Sequence, residues 1–417
     1  MPNRDGLRAV VIGAGVAGLA CAADLATAGA AVTVLEAGDA VGGRMRTDTT
    51  AAGFRLDRGF QVFNTSYPQV QRRLDLRALH LCPFTPGVLL HTPTGRIRFT
   101  DPTRQPDQLA DVLRGRLAGP GGLAALALLS ARDMLLPARL IRRGRDVSTL
   151  AALADAGIPG ELTELLFRPF LAGVFLEDQL ETSSRFFHLV WRSMLRGTLC
   201  LPRRGIQAVP EQLATSLPAG AVRLGTPAAS LTGDGALLAD GTELPADAVV
   251  VATGAAEAAG LMPGLSVPAT RTITTYYHAA PTSPLAEPTL LVDTGRAVLN
   301  SCVLTEVSRG YAGDGRALIS TSALGRGPAG GEPAVRARLA ELYQADTDGW
   351  EPLASYTVEG ALPAMPAPHP LSQPTRVGPG RYVCGDHRAT GSVQGALASG
   401  ARAAREVLDG AALRRAA

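Results

Sequence analysis

Apolar residues near the start of the chain fall into two short runs with a longer apolar stretch between them. Residues 8–12 (Arg-Ala-Val-Val-Ile) and 31–35 (Ala-Val-Thr-Val-Leu) each have the length and composition of a short strand. Residues 16–28 are rich in alanine and long enough for a helix of about three turns. This order predicts a strand–helix–strand unit in which the two strands run parallel.

The rest of the chain mixes helical and strand-like patterns. Residues 105–200 are mostly helical in pattern, whereas residues 271–325 show the period-two alternation of β-strands. The remaining predicted elements are strand-like pieces in 53–63 broken at Gly59, strands at 221–224, 228–231, 236–239, 248–252 and 381–384, helices at 210–217, 333–345 and 391–408, and a loop over 360–380, which holds six prolines.

The composition is that of a globular protein. The chain has 417 residues, 46% of them apolar, which suits two domains that share an interface. A net charge of only +3 gives no reason to expect a nucleic-acid partner, and all 40 basic residues are arginine, none lysine. Five scattered cysteines without a CxxC spacing indicate neither a disulfide framework nor a metal site. With no signal peptide or membrane-spanning run, they predict a reduced, cytoplasmic protein.

The sequence Gly13-Ala-Gly-Val-Ala-Gly18 lies between the first strand and the first helix. Gly13 permits a tight turn, Gly15 lets the backbone approach a pyrophosphate, and Gly18 lets the helix pack on the strand. The helix N-terminus then offers N–H groups and a partial positive charge to the phosphates. Glu36 ends the second strand, where a carboxylate accepts hydrogen bonds from ribose hydroxyls. The unit predicts a dinucleotide site, without deciding between NAD and FAD.

The segment after Glu36 favours FAD. It reads Ala37-Gly-Asp-Ala-Val-Gly-Gly-Arg-Met-Arg-Thr47, with two glycines and two arginines. Arginine is always charged and offers a bidentate fork to phosphate oxygens. We interpret this segment as a second wrap around a diphosphate, the alternative being a solvated basic turn.

With these motifs the chain resembles the flavin-containing amine oxidase and phytoene desaturase superfamily, which includes monoamine oxidases, protoporphyrinogen oxidase and carotenoid desaturases. The glycine motif, the acid and the GGRxxT motif of that family are matched at 13–18, Glu36 and 42–47. Its C-terminal signature is matched over 382–404, and Leu201-Pro-Arg-Arg-Gly205 looks like its mid-chain return to the FAD domain. The resemblance therefore extends over the whole chain.

The resemblance implies an α/β fold with a Rossmann-like FAD-binding domain and a discontinuous α+β substrate domain, as in monoamine oxidase. We expect the FAD domain in 1–90, 203–265 and 370–417, and the substrate domain in 91–202 and 266–369. No cysteine matches that of the covalently flavinylated members, so non-covalent FAD is expected. The residues implied to contact FAD are Gly13, Ala14, Gly15, Val16, Ala17, Gly18, Glu36, Ala37, Gly42, Gly43, Arg44, Arg46, Gly59, Phe60, Gln61, Ala228, Ala252, Thr253, Gly385, Asp386, Ser392, Val393, Gln394 and Ala396.

The sequence identifies the catalytic groups less well. Amine-oxidising members of the family usually have a lysine bonded through water to flavin N5, and this chain has none. His387, beside Asp386, and Tyr277, which shares a predicted strand with Tyr276 and His278, are the candidates for proton transfer. Each of them is equally compatible with a structural role.

Two other stretches have two interpretations each. The aromatic clusters in 167–175 and 186–191 are either the wall of a hydrophobic pocket or ordinary core packing. The apolar stretch 112–146 carries seven arginines and two aspartates. It is either a peripheral membrane contact that admits a lipophilic substrate or an ordinary helix with a solvated face.

These observations predict an FAD-dependent oxidoreductase that dehydrogenates or desaturates a small, largely apolar organic substrate by hydride transfer to flavin N5. Three alternatives stay open. They are a redox-neutral double-bond isomerase of a lipid or isoprenoid, an amine oxidase that lacks the usual lysine, and a non-enzymatic scaffold that binds prenyl groups or lipids.

Overall fold

The N-terminal strand–helix–strand unit forms where the sequence predicts it. The structure is a computed structural model and describes residues 6–100, 104–105 and 118–416. In it β1 is Arg8–Ile12, α1 is Val16–Thr27 and β2 is Ala31–Leu35, and the two strands pair in parallel. The unit places the N-terminus of α1 at the carboxyl end of β1, as a dinucleotide site requires.

The remaining strands are, in chain order, β3 (Thr47–Thr49), β4 (Arg55–Asp57), β5 (Phe63–Asn64), β6 (Leu81–Pro83), β7 (Gly87–Thr92), β8 (Gly95–Thr100), β9 (Leu199–Pro202), β10 (Val222–Arg223), β11 (Ala228–Thr232), β12 (Gly235–Leu238), β13 (Glu243–Pro245), β14 (Ala248–Val251), β15 (Thr270–Ala280), β16 (Leu291–Asp293), β17 (Asn300–Val303), β18 (Ala317–Leu324), β19 (Glu351–Pro363), β20 (Arg376–Gly378) and β21 (Arg381–Val383).

The remaining helices are α2 (Pro68–Arg73), α3 (Pro120–Leu135), α4 (Ala138–Arg143), α5 (Thr149–Asp155), α6 (Gly160–Leu162), α7 (Arg168–Phe175), α8 (Ser184–Arg196), α9 (Ala208–Ala214), α10 (Ala255–Leu261), α11 (Leu304–Val307), α12 (Gly331–Tyr343) and α13 (Val393–Ala416). A π-helical turn over Thr163–Phe167 precedes α7, and single 3-10 turns form at Arg309–Tyr311 and Asp386–Arg388.

A six-stranded sheet in the order β10-β2-β1-β14-β21-β20 forms the first layer. All its pairs are parallel except the last, and β14 at its centre is completely buried. Helices α1 and α13 cover one face, where Gly400 lets α13 approach the Ala17 carbonyl of α1. The other face packs against α10 and the small sheet β11-β12-β13. The first and last elements of the chain thus share one core.

A seven-stranded sheet in the order β19-β15-β18-β17-β16-β7-β8 forms the second layer. Helix α12 covers one face. On the other face, one end packs against helices α3 to α8 and the other end packs against the strands that follow β2. The segments predicted to form the substrate domain therefore supply most of this sheet and the helices packed on it.

The segments predicted for the two domains differ in which sheet they supply. The six-stranded sheet draws its strands from 8–35, 222–251 and 376–383, and the seven-stranded sheet draws its strands from 87–100 and 270–363. The boundary predicted after residue 90 falls inside β7, which pairs only with strands of the larger sheet. The division into an FAD domain and a substrate domain stays a proposal.

The proline-rich stretch 360–380, predicted as a loop, contains the end of β19. Pro352 and Pro363 both lie in this strand, which is at the edge of the seven-stranded sheet. An edge strand leaves half of its N–H groups without a ladder partner, so it accepts proline, which has no N–H. Short strands β20 and β21 then follow, and β20 also lies partly within the predicted loop.

Candidate active site

The turn between β1 and α1 contains two glycines that packing requires and one that it does not. Gly13 has a φ of +106° and donates its N–H to the Leu35 carbonyl at 2.7 Å. A Cβ on Gly18 would lie 2.0 Å from the Gly13 carbonyl oxygen. A Cβ on Gly15 would have no atom of the described chain within 4 Å, apart from its own neighbours in sequence. Gly15 therefore faces open space at the N-terminus of α1, where the first N–H groups have no intrahelical acceptor.

Glu36 closes the same turn from the end of β2. One carboxylate oxygen accepts the Ala14 N–H at 2.8 Å, and the other accepts the Gly38 N–H at 2.9 Å. Each oxygen keeps a second lone pair, so the carboxylate can also accept ribose hydroxyls. Val16 and Ala17, predicted with them, lie buried in the first turn of α1. Their backbone, not their side chains, is available to a phosphate.

The second predicted phosphate loop lies directly against the first. Gly42 donates its N–H to the Ala14 carbonyl at 2.9 Å and has a φ of +126°. Gly43 has a φ of +58°, and a Cβ on it would lie 3.6 Å from the Gly15 Cα. Ala37, at the start of this segment, is exposed. The structure thus brings together two glycine turns that are separated in sequence by a helix and a strand.

Arg44 connects the second loop to both sheets. Its Nη2 donates to Asp386 Oδ1 at 2.7 Å and its Nη1 donates to the Ala361 carbonyl of β19 at 2.8 Å. The Asp386 carboxylate raises the pKa of the Arg44 guanidinium. Arg46 instead pairs with Asp39 at 2.8 Å, at a site where the Asp39 side chain is 87% exposed. Both arginines are therefore paired, and Arg44 is the one whose partners lie in β19 and in the C-terminal signature.

The segment from Gly59 to Gln61 lies between Arg44 and the seven-stranded sheet. Gly59 is buried with a φ of +87°, and the Gln61 side chain donates to the Arg44 carbonyl at 3.0 Å. The Phe60 N–H donates to Thr275 Oγ1 on β15 at 3.2 Å. The three predicted residues therefore connect the second glycine turn to the seven-stranded sheet.

The predicted FAD contacts at Ala228, Ala252 and Thr253 also lie close to the first glycine turn. The Ala252 carbonyl follows β14, and a Cβ on Gly13 would lie 2.9 Å from it, with Thr253 next to it. The Thr226 N–H donates to the Glu36 carbonyl at 2.8 Å, so Ala228 begins β11 close to the ribose acid. The three predicted contacts at 228, 252 and 253 therefore surround the same turn.

The predicted C-terminal contacts lie at the start of α13. Ser392 Oγ accepts the Gly395 N–H at 3.0 Å, which caps the helix, and the Gln394 side chain accepts a backbone N–H of α2 at 2.9 Å. Val393 and Ala396 lie in the first turn, and Ala396 is 7% exposed. The helix presents an oriented N-terminus beside Asp386, although the side chains of Ser392 and Gln394 serve partly to hold it.

His387 is buried beside Asp386, where its ring leaves no room for a side chain on Gly385. A Cβ on Gly385 would lie 2.5 Å from His387 Cε1. Burial lowers the pKa of the His387 imidazole, so the ring is neutral at pH 7. Its Nε2 has no hydrogen-bond partner within the described part of the chain. A buried polar atom without a partner calls for an explanation, and a ligand at this site would be one.

Tyr277 is completely buried, and its hydroxyl donates to the Asp57 carbonyl at 2.7 Å. Tyr276 and His278 point to the opposite face of β15, where His278 bonds to Glu332 of α12 at 2.9 Å. The structure thus does not place these three side chains together at one cavity. The Tyr277 hydroxyl is used inside the core.

Asp57 joins the two layers, and the sequence analysis did not select it. Its Oδ1 accepts the Thr47 hydroxyl at 2.6 Å and the Ile206 N–H at 3.0 Å, and its Oδ2 accepts the Tyr311 hydroxyl at 2.8 Å. Burial raises the pKa of the Asp57 carboxyl, although these hydrogen bonds oppose the shift. The sequence signal was a lone carboxylate after the apolar positions of β4, which also fits a surface turn.

The aromatic clusters are largely core. Phe167, Phe187 and Trp191 are 0%, 0% and 6% exposed, and their rings lie with centroids 5.4 to 6.2 Å apart. Phe170 is the half-buried member of the first cluster. Core packing was one of the two interpretations of these residues, and it accounts for most of them.

The arrangement fits FAD on two structural observations. Gly15 borders open space beside the two glycine turns, which a pyrophosphate requires, and the buried Nε2 of His387 has no partner among the described residues. Arg44, Asp386 and the α13 N-terminus supply charge and N–H donors alongside. Among the described residues, no group of three or more His, Cys, Asp or Glu could hold a metal ion.

Comparison with known proteins agrees with this geometry. The family model described as flavin containing amine oxidoreductase matches residues 16–408. Phytoene desaturase from Neurospora crassa is 53% identical over 51 residues, which cover 12% of this chain and only 9% of the desaturase.

Solved structures match over nearly the full length. A protein described as a protoporphyrinogen oxidase from an Exiguobacterium species has a TM-score of 0.71 at 17% identity, covering 97% of this chain and 99% of that one. Cyclohexylamine oxidase from Brevibacterium oxydans has a TM-score of 0.69 at 18% identity, with the same coverage. At such identities these structures show the shared fold.

The fold and the two glycine turns define an FAD-dependent oxidoreductase of the monoamine-oxidase-like class. The chain belongs to the flavin-containing amine oxidoreductase family.

Proposed function

We propose that the chain dehydrogenates or desaturates a largely apolar organic substrate. The supporting observation is an apolar wall beside the proposed FAD site, formed by Ala172, Leu176, Ile273 and Leu299 with Val358, Ala361 and Leu362 packed against them. The wall reaches the cofactor side directly, because Ala361 also supplies a carbonyl to Arg44. A substrate on this wall would lie next to bound FAD and out of water.

Non-covalently bound FAD would supply the hydride acceptor at flavin N5. The chain's own contribution is to hold the substrate carbon against that position and to take up the proton that dehydrogenation releases. His387 is the candidate proton acceptor, because its ring is neutral at pH 7 and its Nε2 has no partner among the described residues. Tyr277 has less support because its hydroxyl already donates to Asp57.

An amine substrate has less support in this chain. The chain has no lysine, so the water-linked lysine usual in amine-oxidising members is absent. A double-bond isomerase of a lipid or isoprenoid fits the same wall, since hydride removal and return need the same contacts.

The test is anaerobic turnover by the purified holoprotein. We expect one FAD per chain and loss of the yellow flavin band when a panel of terpenoid and fatty alcohols is added without oxygen. Product formed without loss of the band would identify an isomerase instead. Loss of the band with amines alone would identify an amine oxidase, and a protein that takes up no FAD would contradict the proposal and support a lipid-binding scaffold.

We also propose a peripheral contact with an anionic membrane through the described part of 112–146, residues 118–146. Leu128 and Leu135 of α3 are 71% and 75% exposed, and Leu140 of α4 is 46% exposed. The exposed arginines nearby are Arg132, Arg139, Arg142, Arg143 and Arg145. An apolar face bordered by arginine is typical of a helix that lies on a lipid surface. Residues 112–117 of the predicted stretch lie outside the described residues.

No helix among the residues that the structure describes is long and apolar enough to cross a bilayer. All five cysteines are free, which fits the proposed reducing cytoplasm. Sedimentation with phosphatidylglycerol vesicles tests the contact. We expect binding that weakens in high salt and in a variant with both Leu128→Ser and Leu135→Ser, and equal binding by that variant would contradict it.

A further inference from the structure

A strip of polar side chains crosses the seven-stranded sheet on the face that carries the apolar wall. Thr275 of β15 lies opposite Ser322 of β18, and Ser322 lies opposite Asn300 of β17. Directly opposite residues on antiparallel strands share a face, with Cβ atoms about 5 Å apart. Thr275 identifies the face, because its Oγ1 accepts the Phe60 N–H at 3.2 Å. The strip therefore starts at the predicted flavin-contacting segment and extends about 10 Å across two strand spacings.

The far end of the strip is buried but has no hydrogen-bond partner. Asn300 is 8% exposed and Ser322 is 1% exposed. Neither side chain forms a hydrogen bond within the part of the chain that the structure describes. The neighbouring Ser301, on the opposite face, is fully used: its Oγ contacts Ser320, Thr321 and Tyr343. Neither polar group is among the side-chain atoms of the described residues that are both fully buried and unpartnered, so each still reaches accessible space and is open to a ligand.

The Asn300 amide points between the sheet and α7. A Cβ on Gly173 of α7 would lie 2.8 Å from Asn300 Nδ2, so glycine at that position makes room for the amide. The adjoining apolar cluster contains Ala172 of α7, Leu176 directly after α7, and Leu299, which precedes Asn300 in the chain. The amide thus lies at the contact between β17 and α7, next to the apolar wall.

We propose that Asn300 and Ser322 bind a neutral oxygen substituent, a hydroxyl or a carbonyl, on an otherwise apolar substrate. This inference rests on the proposed function, since it places the substrate on the same wall. An amide and a hydroxyl can each donate and accept, so together they match either kind of oxygen. They carry no charge that would balance a carboxylate, a phosphate or an ammonium group.

The position of the pair also limits the substrate. Thr275 lies at the flavin-contacting segment, and Asn300 lies two strands further along the sheet. The bound oxygen would therefore be several carbon–carbon bonds away from the reacting carbon. Asn300 and Ser322 are specificity and positioning residues in this scheme, and they take no part in hydride or proton transfer.

Two probes of equal shape test the inference in the holoprotein. Cyclohexanone and methylenecyclohexane differ in having a carbonyl or a carbon–carbon double bond at the same place. We expect the wild type to bind the ketone on the order of tenfold more tightly, as judged by the shift of the flavin absorption band. In Asn300→Leu we expect the two affinities to agree within about twofold. Equal affinities in the wild type, no binding of either probe, or an unchanged preference in the variant would overturn the inference.

A stability measurement separates this role from ordinary packing. Because the Asn300 amide has no partner among the described residues, Asn300→Leu is expected to keep or raise the Tm of the apoprotein. Asn64 is the matched control: it is 3% exposed and its Oδ1 accepts the Ser66 N–H and hydroxyl at 2.9 Å. Asn64→Leu should lower the Tm and leave any ketone preference unchanged. A lower Tm in Asn300→Leu would show a structural role and overturn the inference.

The two proposals fail in different ways. If the wild type takes up no FAD, the proposed function is wrong, while the Tm comparison on the apoprotein still decides the role of Asn300. If FAD binds but the ketone is not preferred, the proposed function stands and the polar pair is not a substrate contact.

Discussion

Arg44 Nη2 donates to Asp386 Oδ1 at 2.7 Å across a sequence separation of 342 residues. The same guanidinium reaches the Ala361 carbonyl on the seven-stranded sheet. This side chain therefore holds three parts of the chain together. They are the second glycine turn, the C-terminal signature, and β19 at the edge of the seven-stranded sheet. Asp386 is only 7% exposed, so it would be an unpaired buried charge without this arginine.

Replacing Arg44 should separate these parts. In Arg44→Ala we expect FAD affinity to fall at least about tenfold, because a buried charge-assisted hydrogen bond is lost along with the positive charge. Arg44→Lys should show an intermediate loss, since an ammonium lacks the planar fork that reaches both acceptors. Titration of the apoprotein with FAD measures both. Arg8→Lys is the control and should bind almost normally, because Arg8 lies at the start of β1, outside the predicted FAD contacts, and both it and its partner Asp247 are exposed.

The glycines of the first turn should respond differently to alanine. A Cβ on Gly15 meets nothing in the described chain, so the Gly15→Ala apoprotein should keep its Tm and lose FAD affinity. A Cβ on Gly18 meets the Gly13 carbonyl oxygen at 2.0 Å, so the Gly18→Ala apoprotein should itself be destabilised, by about 1–3 kcal/mol or more. Thermal unfolding without FAD and FAD titration together test this. A normal FAD affinity in Gly15→Ala would show that no phosphate approaches that position.

Asp57 should make stability depend on pH. Burial raises the pKa of this carboxyl above its usual 3.8, so between the two values the folded chain holds a proton that the unfolded chain has released. The unfolding free energy therefore falls as pH rises through that window. Asp57→Asn cannot titrate, so its curve lacks this contribution. Urea unfolding of both apoproteins at stepped pH measures the difference, and a wild-type advantage that grows with pH would contradict the assignment.

His387 should control the acid side of the rate profile. Burial lowers the pKa of its imidazole below 6.5, so the neutral base is present at pH 7 and is lost as pH falls through the lowered value. We expect kcat/KM to fall on that acid side, and His387→Gln to lose the pH dependence together with about 100-fold in kcat. The measurement uses whichever alcohol reduces the flavin. If the variant keeps the same acid limb, another group takes up the proton.

The local motifs could be predicted from the sequence because they depend on neighbouring backbone. Gly13 and Glu36 meet across one parallel strand pair, so their spacing alone places them at the same turn. Gly42 to Arg44 followed as a second glycine turn, and the structure shows it in contact with the first. The family resemblance then supplied the C-terminal signature, whose contact with Arg44 no local spacing reveals.

The rest depended on how distant strands pair. Local sequence does not show that the Ala361 carbonyl accepts from Arg44, or that Asp57 accepts the Tyr311 hydroxyl. It also does not show that Tyr277 and His278 point to opposite faces of β15, each with a hydrogen-bond partner. The six prolines of 360–380 suggested a loop, and only Pro363 of them lies in β19, whose position at the edge of its sheet the sequence does not show. Asn300 was also invisible as a site residue, since its significance lies in the absence of a partner among the described residues.

The contact between α1 and α13 has a consequence for biosynthesis. The first glycine turn is synthesised early. Asp386 and the N-terminus of α13, which complete the proposed FAD site, come from residues 386–396. A nascent chain that carries only the N-terminal strand–helix–strand unit has only the first glycine turn of the proposed FAD site. We therefore expect FAD to be loaded only after translation of nearly all the residues described, with the helix that packs against α1 through Gly400 closing the site last.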